Sequence, residues 1–269
     1  MTDEARLIGE GVEWFLEMEH VSVARGATVV LHDVSLRIRR GEQMVILGPN
    51  GCGKSTLIKT MTRECYPLME PGMRMRLFGW ERWVVADLRQ HFGVVEANLP
   101  GERTPRTNGM DAVVSGLLGS STLWPNLTVT AEMYDRADAA MKLLDAGYLK
   151  DKLVGQMSAG EQRRVMIARA LVNEPEMLLL DEPSNALDLA AQAELREALE
   201  AVTARGVGLM LVTHHIGDIL PSVERVLMMR EGRIFADGSK KDLLTRGKLK
   251  ELFGVDVEMV ERNGFFHAW

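Results

Sequence analysis

The sequence predicts an α/β fold, on three observations. The run Gln43-Met44-Val45-Ile46-Leu47, mostly apolar with a β-branched pair, reads as a buried strand and leads through a glycine-rich loop into a helix at Thr56–Met61. Further on, Met177–Leu180, Asp188–Ala204 and Val207–Thr213 read as strand, helix and strand, the alternation that builds a three-layer core. Between these stretches, from Gly101 to Gln156, Gly101, Pro105, Gly109, Gly116, Gly119 and Pro125 cut the chain into short helical pieces, a small insert.

Each element has its own signal. From Trp14 to Val23 apolar and polar residues roughly alternate, as in a strand with one exposed face. Thr28–Ile38 reads as a second strand that turns at Gly41 into the buried one. Met75–Leu99 reads as short strands and turns, and the insert offers helices at Met110–Leu118 and Thr130–Ala146. A helix from Gly160 to Val172 is stopped by Asn173-Glu174-Pro175. Arg225–Gly238 reads as a strand pair about the turn Glu231-Gly232, and the chain after Gly238 as helical, then irregular.

At 269 residues, 46% hydrophobic and 26% charged, the chain can bury a full core. A net charge of −6 argues against general affinity for nucleic-acid backbones, which need a basic face, so no direct nucleic-acid partner is expected. Two cysteines, Cys52 and Cys65, are too few for a disulfide framework and read as reduced thiols. Met1–Arg6 lacks a basic-then-apolar leader, and runs such as Val207–Val212 are strand-length, far short of a membrane span. A cytoplasmic protein is expected.

The chemistry begins in the glycine-rich loop. Gly48, Pro49, Asn50, Gly51, Cys52, Gly53, Lys54, Ser55 and Thr56 fit G-x-x-x-x-G-K-[ST], a loop that wraps nucleoside-triphosphate phosphates. Glycines let backbone N–H groups turn onto phosphate oxygens with no Cβ in the way. Lys54 supplies a point charge and Ser55 a hydroxyl ligand for Mg²⁺, at the N-terminus of a helix. The strand Glu176–Leu180 then delivers Asp181 and Glu182 at its C-terminal end, where open α/β sheets bind ligands. Alone that pair reads as a surface pair; beside a phosphate loop, Asp181 reads as a Mg²⁺ ligand and Glu182 as the group that polarises the attacking water.

Met157-Ser158-Ala159-Gly160-Glu161-Gln162-Arg163-Arg164 precedes a helix with Val165, Ala168, Leu171 and Val172 at helical spacing. Its local reading is a capping box, Ser158 with Glu161. The segment also resembles the signature loop of the ABC (ATP-binding cassette) ATPases. Pro183-Ser184-Asn185-Ala186-Leu187-Asp188 is similar to that family's D-loop, and Thr213-His214 to its switch histidine.

The resemblance runs from Glu17 to about Leu252. It implies a P-loop NTPase core of ABC type with an N-terminal antiparallel β subdomain and a small helical insert, binding ATP with Mg²⁺. It implies that Ser158, Ala159, Gly160 and Glu161 bind the γ-phosphate of ATP held by a partner copy, that Asp188, in the loop that crosses the dimer interface, is also a nucleotide-binding residue, and that His214 is a catalytic residue in contact with the γ-phosphate. His215 is assigned no role. The expected organisation is one domain over 1–269: β subdomain and phosphate-loop core at 14–99, insert at 100–156, signature and switch core at 157–238, tail at 239–269.

Three positions depart from the family pattern. Arg25 stands where an adenine-stacking aromatic is usual; its guanidinium plane can still stack on a base. Ala97 stands at a glutamine that normally touches Mg²⁺, with Glu96 or Asn98 as substitutes. Ala159 replaces the signature's first glycine.

One phosphate loop and one signature per chain imply a head-to-tail homodimer burying two ATP molecules. The leading functional class is the ATP-hydrolysing subunit of a membrane transporter with separate permease chains, resembling metal-chelate and oxyanion uptake systems through Asp111–Leu118, peripheral on the inner membrane face. The alternatives are a soluble ABC ATPase serving assembly, such as iron–sulfur cluster formation, and a nucleic-acid or ribosome factor. Trp80, Trp83 and Trp124 face a partner or pad the insert's own core.

Overall fold

Strands with one exposed face and strands buried on both faces occupy different stretches of this chain. The computed structural model describes residues 13–96, 99 and 101–269, apart from the side chain of Ala86. Ala97 and Asn98 lie outside the described residues, as does the expected absence of a leader at Met1–Arg6. Chain order begins β1 (Trp14–Arg25), β2 (Thr28–Arg39), β3 (Gln43–Leu47), α1 (Lys54–Met61), β4 (Arg74–Leu77), α2 (Val85–His91) and β5 (Phe92–Val95). Next come α3 (Gly109–Leu117), α4 (Ala131–Leu143), α5 (Ala159–Leu171), β6 (Met177–Asp181), α6 (Leu189–Thr203) and β7 (Gly208–Thr213). The chain closes with β8 (Arg225–Arg230), β9 (Arg233–Ser239), α7 (Lys240–Leu243), α8 (Arg246–Phe253), β10 (Met259–Arg262) and β11 (Phe265–Ala268).

The described residues form two compact units. One holds the residues through Leu88 together with His214–Trp269, the other Arg89–Thr213. In the first unit β1 pairs antiparallel with β2 and β4. Strand β2 buries Val34, Leu36 and Ile38 and exposes Ser35, Arg37 and Arg39, the two-residue period of a half-buried sheet. Phe15 meets Phe78 edge-on at 5.2 Å, and Phe78 meets Trp83 at 5.9 Å. Trp83 also donates to the Leu77 carbonyl at 2.9 Å, so it pads this core, whereas Trp80 and Trp124 are exposed. Strand β3 lies parallel to β8, and β8 antiparallel to β9. Glu231 (φ 51°) and Gly232 (φ 72°) join the latter pair through the left-handed turn that hairpins favour.

The second unit holds the parallel strands β5, β6 and β7. Met177–Leu180 and the whole of β7 are buried, as parallel strands covered on both faces must be. Helix α3 of the insert packs on α5: a Cβ on Gly116 would come within 2.5 Å of the Arg169 carbonyl. Arg169 Nη2 donates to the Ser120 carbonyl at 2.8 Å, and Arg136 Nη2 to that of Val172 at 2.9 Å.

Two elements differ from the sequence reading. Residues 85–91 form α2, not turns and strands; seven residues are too few to print a helical period, and Leu88 is fully buried. The tail ends in the hairpin β10–β11, not irregular chain. Its turn is Asn263 (φ 53°) and Gly264 (φ 79°), a hairpin dipeptide, but β10 is mostly exposed and shows no alternation.

Candidate active site

In the first unit β3 delivers Gly48 beneath β8, where a Cβ would come 2.3 Å from the Met229 carbonyl oxygen, so the position admits only glycine. Gly53 (φ 104°) is the N-cap of α1, with no side-chain cap and no acidic residue in the helix's own first turn. Lys54 is buried and donates from Nζ to the carbonyls of Gly48 (2.7 Å) and Pro49 (3.1 Å), spanning the loop. Ser55 is exposed and Thr56 buried. The loop is anchored from outside: the Gly232 amide donates to the Cys52 carbonyl at 3.0 Å, and the His32 amide to the Gly232 carbonyl at 2.9 Å. The sequence reading missed Gly232 and His32 as supports, although it placed the turn. Arg25 is exposed beside the β1–β2 turn, opposite Thr28. His215 was expected to point away from the switch candidate, but the His214 and His215 rings lie 3.9 Å apart at a tilt of 41°, since the bend after Thr213 leaves the two side chains side by side.

In the second unit Asp181 ends β6, and Glu182 follows in the left-handed region (φ 48°), its amide donating to the Val212 carbonyl at 2.8 Å. A glutamate held there carries backbone strain on the order of 1–3 kcal/mol, a cost that concentrates at functional positions. Asp188 caps α6 by accepting from the Ala191 amide at 2.8 Å, while the next residue, Leu189, is 83% exposed.

The capping box at α5 is realised. Ser158 Oγ accepts from the Glu161 amide at 3.2 Å, and Glu161 Oε2 from the Ser158 amide at 2.7 Å. Lys152 Nζ donates to the same Oε2 at 2.7 Å. Lys152 first, then the Ser158 amide, hold the Glu161 carboxyl below its ordinary range. Ala159 sits exposed in the helix's first turn, where a methyl is harmless, whereas a Cβ on Gly160 would meet the Ala191 methyl at 2.9 Å. A side chain is therefore accommodated at 159 and crowded at 160.

The class that this fold and these loops define is a nucleoside-triphosphate-hydrolysing cassette. The ABC transporter profile matches residues 31–185. The chain is 31% identical to the hemin import ATP-binding protein HmuV of Hahella chejuensis, over 89% of this chain and 93% of that protein. Among solved structures it resembles a metal-chelate type ABC transporter in an inward-facing conformation (TM-score 0.78, 21% identity, 96% of this chain and 97% of that one). It also resembles CbiO1 of Clostridium perfringens, part of the ABC transporter complex cbiONQ (TM-score 0.71, 27% identity, 89% and 94%). The chain belongs to the ABC transporter family. It is an ATP-binding cassette and an ATPase. Among the described residues no helix is long and apolar enough to cross a membrane.

Proposed function

We propose that this chain powers an import-type ABC transporter, working as a homodimer docked on separate permease subunits at the inner membrane face. The observation that carries the reading is the pairing of one uncapped phosphate-loop helix with one capped signature helix in each chain. A single copy then has half of each of two sites, and two copies related by a two-fold axis complete both. Leu189, apolar and exposed beside Asp188, suits burial at that interface. The import role rests on the relatives, which are named for hemin import and as part of a transporter complex.

In this reading residues 48–56 bind the triphosphate, Lys54 meeting the β- and γ-phosphates, and Arg25 stacks on the base. Among the described residues no cluster of three or more His, Cys, Asp or Glu could hold a metal by itself. In this reading Ser55 and Asp181 would each offer an oxygen donor of the kind Mg²⁺ takes, the ion completing its shell from phosphate and water. Bound there, Mg²⁺ supplies charge neutralisation on the phosphates. Glu182 orients and polarises the attacking water, and His214 senses the γ-phosphate. Ser158, Ala159, Gly160 and Glu161 close over the γ-phosphate held by the other copy, and its loss lets the pair open.

Glu182→Gln should bind ATP and accumulate as a dimer while turnover falls at least roughly 100-fold. Light scattering with and without ATP tests this; a variant that stays monomeric with ATP rejects the dimer. The same trapped protein, isolated from its host, should carry a polytopic membrane protein with it, and recovery of soluble proteins alone would reject the transporter role.

A further inference from the structure

The signature places a carboxylate where the proposed reading needs an anion. Glu161 lies in the first turn of α5, its side chain 16% exposed, within the capping box that orients Ser158. A γ-phosphate brought to Ser158 and Gly160 would meet that negative charge at short range, in a partly desolvated setting where repulsion is weakly screened. The neighbouring cations do not relieve it. Arg163 is spent on the Glu96 carbonyl at 2.7 Å, and Arg164 on Tyr148 Oη at 2.9 Å and Glu194 at 3.5 Å. Among the described residues Lys152 is the one cation paired with Glu161. Its backbone is tied to the insert, since the Lys152 carbonyl accepts from the amide of Gly109 at the start of α3 at 3.0 Å.

We propose that Lys152 is a positioning residue of the nucleotide sandwich: its ammonium neutralises Glu161, so the capping box keeps its shape without repelling the triphosphate. The proposal rests on the signature reading given above. It makes the insert the carrier of the compensating charge, so that moving the 150–153 segment away from α5 weakens the grip on ATP. The lysine need not touch the nucleotide at all.

A double-mutant cycle on the full chain tests it, with Lys152→Met, Glu161→Gln and the double variant, and ATP-dependent dimerisation and the KM for ATP as readouts. With Glu161 native, Lys152→Met should raise the ATP concentration for half-dimerisation roughly fivefold or more. In the Glu161→Gln background the same change should cost less than about twofold. Lys152→Arg should retain function, and thermal melts separate lost folding from lost affinity, with Lys152→Gln substituting if the methionine variant misfolds. Equal losses in both backgrounds, or none in either, overturn the proposal. Ser158→Arg separates the two readings. If it abolishes dimerisation while Lys152→Met is silent, only the Lys152 proposal fails; if Ser158→Arg is harmless, the signature reading fails and takes the proposal with it.

Discussion

Arg163 Nη1 donates to the main-chain oxygen of Glu96 at 2.7 Å, tying helix α5 to the end of β5. Arg163 is 9% exposed and, among the described residues, pairs with no carboxylate; burial pushes its guanidinium below the ordinary range. A buried cation on one neutral carbonyl is costly to desolvate, so its retention points to function rather than stability. Arg163→Met, similar in reach and apolar, is expected to leave stability within about 1 kcal/mol while lowering turnover several-fold. Urea melts and steady-state ATPase on one preparation check both halves. A large stability loss with unchanged turnover per folded molecule would assign the bond a purely structural role.

Gly232 is expected to govern nucleotide affinity without touching nucleotide. A Cβ there would lie 2.1 Å from the Val30 carbonyl oxygen, on a backbone already at φ 72°. Gly232→Ala should cost roughly 2–4 kcal/mol and displace the Cys52 carbonyl, weakening ATP binding about tenfold or more among the molecules that stay folded. Calorimetric titration with a non-hydrolysable ATP analogue, beside a thermal melt, reads both effects.

Glu161 gives the cassette an acid dependence of known sign. Its carboxyl is held below its ordinary value, so its ion pair and cap contribute fully above the unfolded carboxyl pKa, about 4.3. That contribution is lost as pH falls through the lower folded value. Acid melts of the native chain should therefore be steeper below pH about 4.3 than those of Glu161→Gln. Parallel curves for the two would show that this carboxyl does not contribute.

The terminal hairpin should act as a brace. Phe266 is 7% exposed, with Lys240 Nζ 5.8 Å from its ring centre, and the same ammonium donates to the carbonyls of Leu220 (3.1 Å) and Pro221 (2.8 Å). Phe266→Ala is expected to destabilise the chain by about 2–3 kcal/mol, below the usual aromatic-truncation loss because the hairpin lies at the surface. Hydrogen exchange should localise the loosening to 216–221 and the hairpin; uniform loosening would contradict the brace.

Legibility followed the range of the physics involved. Short-range signals read well: the strand, glycine-rich loop and helix over 43–61, the Ser158–Glu161 box, the Glu231-Gly232 turn and the buried strands each depend on residues a few positions apart. Helix α2 was too short to carry a period, and β10 too exposed to carry an alternation. Supports that act outside the local pattern of their own element were invisible. Nothing in the neighbourhood of Gly232 says that it holds Cys52, nothing near Lys152 says that Glu161 needs it, and nothing near Arg163 says that it reaches Glu96. Those pairings exist only once the chain has folded. The stacking of His215 on His214 belongs with them, because adjacency in sequence does not fix how two rings lie.

The anchoring of the phosphate loop also sets a birth order for the site. The Cys52 carbonyl is held by Gly232, and Gly232 in turn by His32, so the Gly232 turn must return to two neighbouring stretches made long before it. Closing so long a loop is slow compared with forming α1 or the β1–β2 hairpin. A chain still emerging from the ribosome, or a fragment ending before Gly232, has the glycine-rich motif in its sequence but lacks its brace. The brace on the glycine-rich loop is therefore completed only within the last fifth of the polypeptide's synthesis.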